Sequence, residues 1–165
     1  MTKGKRREKI AVYPGTFDPI TNGHVDLIER GLRIFDRIII AVAPSENKAP
    51  FFALNERVEM IREVLTGRSD VEIDILQGLL VEYVREKKAV AVIRGLRAVS
   101  DFEYEFQLSL MNRKMDADFE AVFLMPSARY TYLSSSIIKE VAQLGGSLKD
   151  MVPEAVERKL KRKRK

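Results

Sequence analysis

Five short apolar runs, rich in Val and Ile and separated by amphipathic stretches, constrain the architecture of this chain more than any other feature. They fall at residues 10–13, 38–43, 71–76, 90–93 and 121–125, each bounded by turn residues or charges. Runs of that length and composition read as buried strands. Between them apolar residues recur at helical spacing: Val25, Ile28, Leu32 and Phe35; Val58, Ile61, Val64 and Leu65; Leu80, Tyr83 and Val84; Phe102, Phe106, Leu108 and Leu110. Strict alternation of strand and helix predicts right-handed crossovers and a parallel sheet covered on both faces, the doubly wound α/β class with five strands. Ligands in that class bind beyond the carboxyl ends of the strands, where the strand order reverses. Chemistry is therefore sought in the loops after strands 1, 2, 4 and 5. A last helix is expected from about Pro153, a residue suited to a first helical turn.

The 165 residues, 45% hydrophobic and 32% charged, suit one globular domain over residues 1–165 that needs no disulfide or structural metal. With no cysteine, thiolate catalysis is excluded, and a reducing, cytoplasmic setting is expected. No apolar run has membrane length, so no membrane partner is expected. The net charge of +5 is misleading as a sign of nucleic-acid binding, because the ends carry more than all of it. Residues 1–9 hold +4 and residues 159–165 hold +6, which leaves the body at −5. A general phosphate-backbone binder shows a basic face on its folded part. The basic ends read as solvated N- and C-terminal tails, and no nucleic acid is expected as a partner.

The loop after the first strand runs Tyr13-Pro14-Gly15-Thr16-Phe17-Asp18-Pro19, in which two prolines and a glycine set a tight path and let backbone approach a ligand. A helix then begins around Thr21 to Gly23. His24, the one histidine of the chain, falls in its first turn, where backbone N–H groups and the positive dipole end attract anions. Taken alone, His24 reads equally as a half-buried helix-start residue and Gly15 as a turn glycine. After strand 4, Arg94-Gly95-Leu96-Arg97 sets two guanidiniums around a glycine, a geometry suited to two converging phosphates. The alternative for either arginine is a structural bridge to Asp101 or Glu103.

The string Gly-Thr-Phe-Asp-Pro-x-Thr-x-Gly-His at residues 15–24 resembles the signature of the nucleotidyltransferase superfamily, whose usual form is His-x-Gly-His. Thr21 replaces the first histidine, a departure familiar in one branch, the bacterial phosphopantetheine adenylyltransferases. Three further segments resemble that branch: residues 94–99 (Arg-Gly-Leu-Arg-Ala-Val), 101–105 (Asp-Phe-Glu-Tyr-Glu) and 134–139 (Ser-Ser-Ser-Ile-Ile-Lys). The likeness extends over roughly residues 9–155 and implies a Rossmann-like nucleotidyltransferase fold.

The resemblance implies adenylyl transfer from ATP to 4′-phosphopantetheine, giving dephospho-coenzyme A and pyrophosphate, with Mg²⁺ on the triphosphate and no metal ligands from the protein. It assigns His24 to the catalytic position. Thr16, Lys48, Leu80 and Arg94 would meet phosphopantetheine. Thr16, Phe17, His24, Gly95, Leu96, Arg97, Glu105 and the run Tyr130, Thr131, Tyr132, Leu133, Ser134, Ser135 and Ser136 would meet ATP. Apart from the resemblance, Lys48 reads as a surface charge, Leu80 as core, Glu105 as a solvated helix carboxylate, and the serines as a helix cap. Ala49 stands where some relatives carry a second basic residue beside Lys48. A homohexamer and feedback inhibition by coenzyme A are family expectations. The competing readings are a transferase acting on nicotinate mononucleotide or an alcohol phosphate, and a noncatalytic binding protein that holds RNA through its basic ends.

Overall fold

The computed structural model describes residues 7–45 and 50–163. Strands β1 (Ile10–Gly15), β2 (Arg37–Val42), β3 (Val71–Ile75), β4 (Ala91–Gly95) and β5 (Ala121–Leu124) form one sheet in the order β3-β2-β1-β4-β5. All four pairings are parallel. Among the described residues the helices are α1 (Asn22–Gly31), α2 (Leu54–Val64), α3 (Leu80–Glu86), α4 (Val99–Met115), α5 (Ser135–Gln143) and α6 (Glu154–Lys163), with a 3₁₀ turn at Ala128–Tyr130. Each of the five expected strands is present. β1 and β4 each run two residues further than their apolar cores, so Gly15, Arg94 and Gly95 belong to strand ends.

The alternation of side chains along the strands builds two cores. Ala11 and Tyr13 of β1 join Ile38, Ile40 and Val42 of β2 on one face, under α1, α2, α5 and α6. Ile10 and Val12 join Ile39, Ala41 and Val92 on the other, against Val81, Tyr83 and Val84 of α3. Helix α1 lies close on the sheet because Gly31 has no side chain. A Cβ there would sit 2.7 Å from Ile38 Cδ1 and 2.8 Å from Ile93 Cδ1.

The basic residues near the C-terminus do not form a free tail as far as Lys163. They make the last turns of α6, which packs Val156 and Leu160 into the core. Its cations face glutamates of α2: Lys163 lies 2.9 Å from Glu56, and Arg158 lies 3.0 Å from Glu63. Exposed pairs of this kind contribute about 0–1 kcal/mol each, whereas a fully buried Val or Leu contributes about 1.5–3 kcal/mol. Packing therefore holds α6, and the ion pairs add little to it.

β1 and β4 are neighbours at the centre of the sheet, yet the chain leaves β1 toward β2 and leaves β4 toward β5. That divergence is the reversal of strand order at which the loops splay apart and leave a crevice.

Candidate active site

A cavity of about 300 Å³ occupies this crevice. Its floor is Tyr13 and Pro14 of β1, with Arg94 and Gly95 of β4. Its walls are the first turns of α1 and α5, Glu105 of α4, and the Pro126–Tyr130 side of the loop after β5. Ten residues expected at the site meet here: His24, Arg94, Gly95, Arg97, Glu105, Tyr130, Leu133, Ser134, Ser135 and Ser136.

The start of α1 determines how His24 is presented. Thr21 is the N-cap, 2% exposed, and His24 is the third residue of the helix. The pair forms a reciprocal capping box: the Thr21 backbone N–H donates to His24 Nδ1 at 3.0 Å, and the His24 N–H donates to Thr21 Oγ1 at 3.4 Å. A backbone amide can only donate, so Nδ1 is an acceptor and the neutral ring carries its proton on Nε2. Phe17 packs edge-on against the imidazole, ring centroids 5.1 Å apart, and Tyr13 against Phe17 at 5.3 Å. Removal from water, and secondarily the charge of Arg97, hold the His24 pKa down at about 4. At neutral pH this side chain is an uncharged N–H donor.

One expectation changes here. The first-turn amides of α1 are largely occupied: the Asn22 N–H donates to the Met151 carbonyl at 3.0 Å, and the His24 N–H serves the cap. Fewer N–H groups of this helix end are thus open to an anion than its sequence predicts.

The two arginines of the cavity are held by carboxylates. Arg94 Nε lies 3.1 Å from Glu105 Oε2, an oxygen that is buried without a hydrogen-bond partner. Arg97 Nε lies 3.1 Å from Asp101 Oδ2, and its Nη1 donates to the Leu133 carbonyl at 3.0 Å. The bridge from Arg97 to Asp101 is the structural alternative left open by the sequence; Arg94 instead finds Glu105. Burial works against the Asp101 charge, but hydrogen bonds from Arg97 outweigh it and hold the carboxyl below its usual range. Burial raises the Tyr13 hydroxyl well above the ordinary tyrosine range, only partly offset by Arg94 and Arg97, so it stays protonated.

Across the cavity, Ser134 caps α5 by accepting the Ile137 N–H at 3.1 Å. The Ser135 hydroxyl donates to the Pro19 carbonyl at 2.8 Å and so ties α5 to the β1 loop. Ser135 and Ser136 head the helix, where backbone N–H groups have no intrahelical partner. The wall before α5 is fixed from α1: Asp26 accepts the Ser127 N–H at 2.8 Å, the Ser127 hydroxyl at 2.6 Å and Arg30 Nε at 2.8 Å. Burial opposes the Asp26 charge, and these bonds overcome it to keep the carboxyl ionised.

The remaining expected residues lie outside the cavity. Thr16 is exposed, Phe17 is buried against the His24 ring, and Leu80 opens α3 and packs on the second core. Leu96 and Thr131 line an adjoining groove with Arg97, and Tyr132 is exposed. Lys48 and Ala49 fall outside the described residues. Sequence reasoning passed over Leu27 and Pro126; Tyr13, Pro14, Thr21 and Gly23, which also line the cavity, it read only as parts of the loop and helix start. Leu27 reaches the cavity because Gly95 has no side chain: a Cβ there would meet Leu27 Cδ1 at 2.5 Å, a closeness that nothing local in the sequence announces.

A crevice at the switch point of a parallel sheet, with a neutral histidine donor and Arg97 on its walls and Arg94 on its floor, fits a nucleotidyltransferase-type site. The cytidylyltransferase-like family model matches residues 12–141. A solved structure from Vibrio parahaemolyticus, assigned provisionally as a nicotinate-nucleotide adenylyltransferase, superposes with a TM-score of 0.68 over 96% of this chain and 95% of its own. At 18% identity it shows the shared fold alone. The phosphopantetheine adenylyltransferase of Geotalea daltonii is 58% identical over 152 residues, 92% of this chain and 94% of its own. That of Desulforudis audaxviator is 55% identical, over 94% and 95% respectively. The chain belongs to the phosphopantetheine adenylyltransferase family.

Proposed function

We propose that this chain transfers the adenylyl group of ATP reversibly to 4′-phosphopantetheine, giving dephospho-coenzyme A and pyrophosphate in coenzyme A biosynthesis. One observation carries the reading: a chain 58% identical to a phosphopantetheine adenylyltransferase places His24, Arg94 and Arg97 around one cavity at the β1/β4 switch point.

The acceptor phosphate is an anionic nucleophile near neutral pH, so the work left to the protein is alignment and stabilisation of charge. His24 Nε2–H donates to an oxygen of the α-phosphate as negative charge gathers there during in-line attack. Because the ring is neutral, it offers a hydrogen bond without releasing a proton. Arg94 orients the acceptor phosphate from the floor, with Thr16 and Lys48 assigned to the same substrate and Leu80 to its pantetheine arm. Arg97 with Gly95 and Leu96, Glu105, and the segment from Tyr130 to Ser136 take the nucleotide, its triphosphate directed at the head of α5. Both arginines must exchange or share a carboxylate partner when phosphates arrive, which favours fully charged ligands over neutral ones.

Mg²⁺ enters this reading on the nucleotide. Glu105 is the one carboxylate among the described lining residues and is engaged by Arg94, so the donors that suit a hard cation here are triphosphate oxygens and water. Bound there, the ion would supply charge neutralisation to the triphosphate.

The family's homohexamer belongs to the same proposal. Helix α4 exposes Val99, Phe102, Tyr104, Phe106, Leu110, Met111 and Met115, an apolar surface of the kind that marks protein contacts. Coenzyme A, which contains the product's pantetheine and adenylate groups, is proposed as a feedback inhibitor at this site. No helix among the described residues is long and apolar enough to cross a membrane, and a cytoplasmic location is proposed.

Pyrophosphate release from ATP, assayed with phosphopantetheine, nicotinate mononucleotide and no acceptor in turn, tests the proposal. Release with phosphopantetheine alone supports it. Release with nicotinate mononucleotide, or with no acceptor, contradicts it.

A further inference from the structure

Two charged side chains almost sealed from water lie behind the cavity without lining it: Asp18, 5% exposed, and Arg57, 1% exposed. Asp18 Oδ1 accepts the Phe52 N–H at 2.8 Å, and its Oδ2 accepts the Phe51 N–H at 3.0 Å and Lys139 Nζ of α5 at 3.1 Å. Arg57 of α2 donates from Nη1 to the carbonyls of Thr16 and Ala43, and from Nε to the Phe52 carbonyl at 3.1 Å. The β1 loop, the exit of β2, the entry to α2, and α5 are thus joined through one carboxylate and one guanidinium. Buried charges are costly, and these two are compensated by satisfying the N–H groups of Phe51 and Phe52 and the carbonyls of Thr16, Ala43 and Phe52, which apolar residues would leave unpaired. What this pair provides is a single geometry for four segments.

Asp18 sits between the two residues that transmit that geometry to the cavity. Phe17 before it packs on the His24 ring, and the Pro19 carbonyl after it takes the Ser135 hydroxyl. We propose that Asp18 is a positioning residue for adenylyl transfer, holding the His24 donor and the head of α5 in register through Phe51, Phe52 and Lys139. The inference rests on the functional reading above for its kinetic consequence, but not for its structural one.

Asp18→Asn keeps the volume but replaces one acceptor oxygen with an NH₂ group, which faces donors and cannot bond them. The variant should fold, judged by a cooperative melt, and lose about tenfold or more in kcat, since sub-ångström misplacement is costly to aligned reactions. The pKa of His24, followed by NMR on the only histidine of the chain, should rise from about 4 by about one unit or more as the ring loosens toward water. Lys139→Met, at a partly exposed position, keeps both amide bonds and provides a second variant should Asp18→Asn fail to fold. It should lower kcat by about threefold or more, and add little to Asp18→Asn in the double variant, because the two act through one contact. Folded variants with wild-type kcat and an unmoved His24 titration would overturn the proposal, as would fully additive losses. Absence of transfer in the wild-type chain would sink the functional reading alone, and the histidine titration would still decide the role of Asp18.

Discussion

The backbone N–H of Thr21 donates to Nδ1 of His24 at 3.0 Å and thereby places the imidazole proton on Nε2. Where the superfamily signature usually carries a first histidine, this chain thus has an N-cap that fixes the tautomer of the second. The Thr21 hydroxyl lies equally near, 3.0 Å from Nδ1, but the main-chain N–H remains after side-chain substitution at position 21.

That separation can be tested. His24→Ala should reduce turnover at least a hundredfold, about 3–4 kcal/mol by analogy with an oxyanion donor, while the protein remains folded. Thr21→Ala removes the cap hydroxyl and should cost about 1 kcal/mol of stability but much less activity. Steady-state rates with thermal melts of both variants check this; equal activity losses would mean that the hydroxyl, not the amide, sets the ring.

The depressed His24 pKa makes a prediction about stability. In the unfolded chain the ring has the ordinary value near 6.5, and in the fold about 4. Between those values the folded state binds fewer protons than the unfolded one, so stability rises with pH. The contribution, about 3 kcal/mol at most, is complete above about pH 6.5 and disappears as pH falls through about 4. Urea unfolding of wild type and His24→Gln at pH 7.5 and pH 4.5 isolates it: wild type should lose more stability on acidification. Identical losses would contradict a neutral, enclosed ring.

Much of the fold was legible because strands buried in a parallel sheet are near-continuous Val and Ile runs. Helix α4 was legible as a helix, though its apolar residues lie on all sides, so no single face announced itself. Strand order was not legible, since each crossover can pass to either side. The site was legible where chemistry sits in short strings, as at Arg94 to Arg97 and Ser134 to Ser136. It was not legible where geometry depends on distant partners. Asp18 reads in sequence as a turn former beside proline, and nothing local reveals that it receives the amides of Phe51 and Phe52. The C-terminal cations read as solvent-facing because their partners, Glu56 and Glu63, lie on another helix.

Arg94 is held by Glu105 at 3.1 Å on the cavity floor, and in the proposed reaction it exchanges that partner for a phosphate. Arg94→Ala should lower kcat/KM for the acceptor by the worth of a charge-assisted hydrogen bond, about 1.5–3 kcal/mol, with smaller change in nucleotide affinity. Arg94→Lys should recover only part of it, lacking the planar fork. An unchanged acceptor KM, with weakened ATP binding, would move Arg94 to the nucleotide side.

Gly31 tests the packing that seats α1. A methyl group there would press on Ile38 and Ile93, both fully buried, so Gly31→Ala should destabilise the protein by about 1–3 kcal/mol in chemical denaturation. No loss would mean that α1 can lift from the sheet at little cost, and His24 with it.

The most direct test of adenylyl transfer at this cavity follows the label itself. Wild-type protein incubated with ATP radiolabelled at the α-phosphate, Mg²⁺ and 4′-phosphopantetheine should yield dephospho-coenzyme A carrying the label, and His24→Ala at least a hundredfold less per unit time. Unlabelled pantetheine products from the wild-type protein, or label transfer that proceeds unchanged without the histidine, would contradict the account.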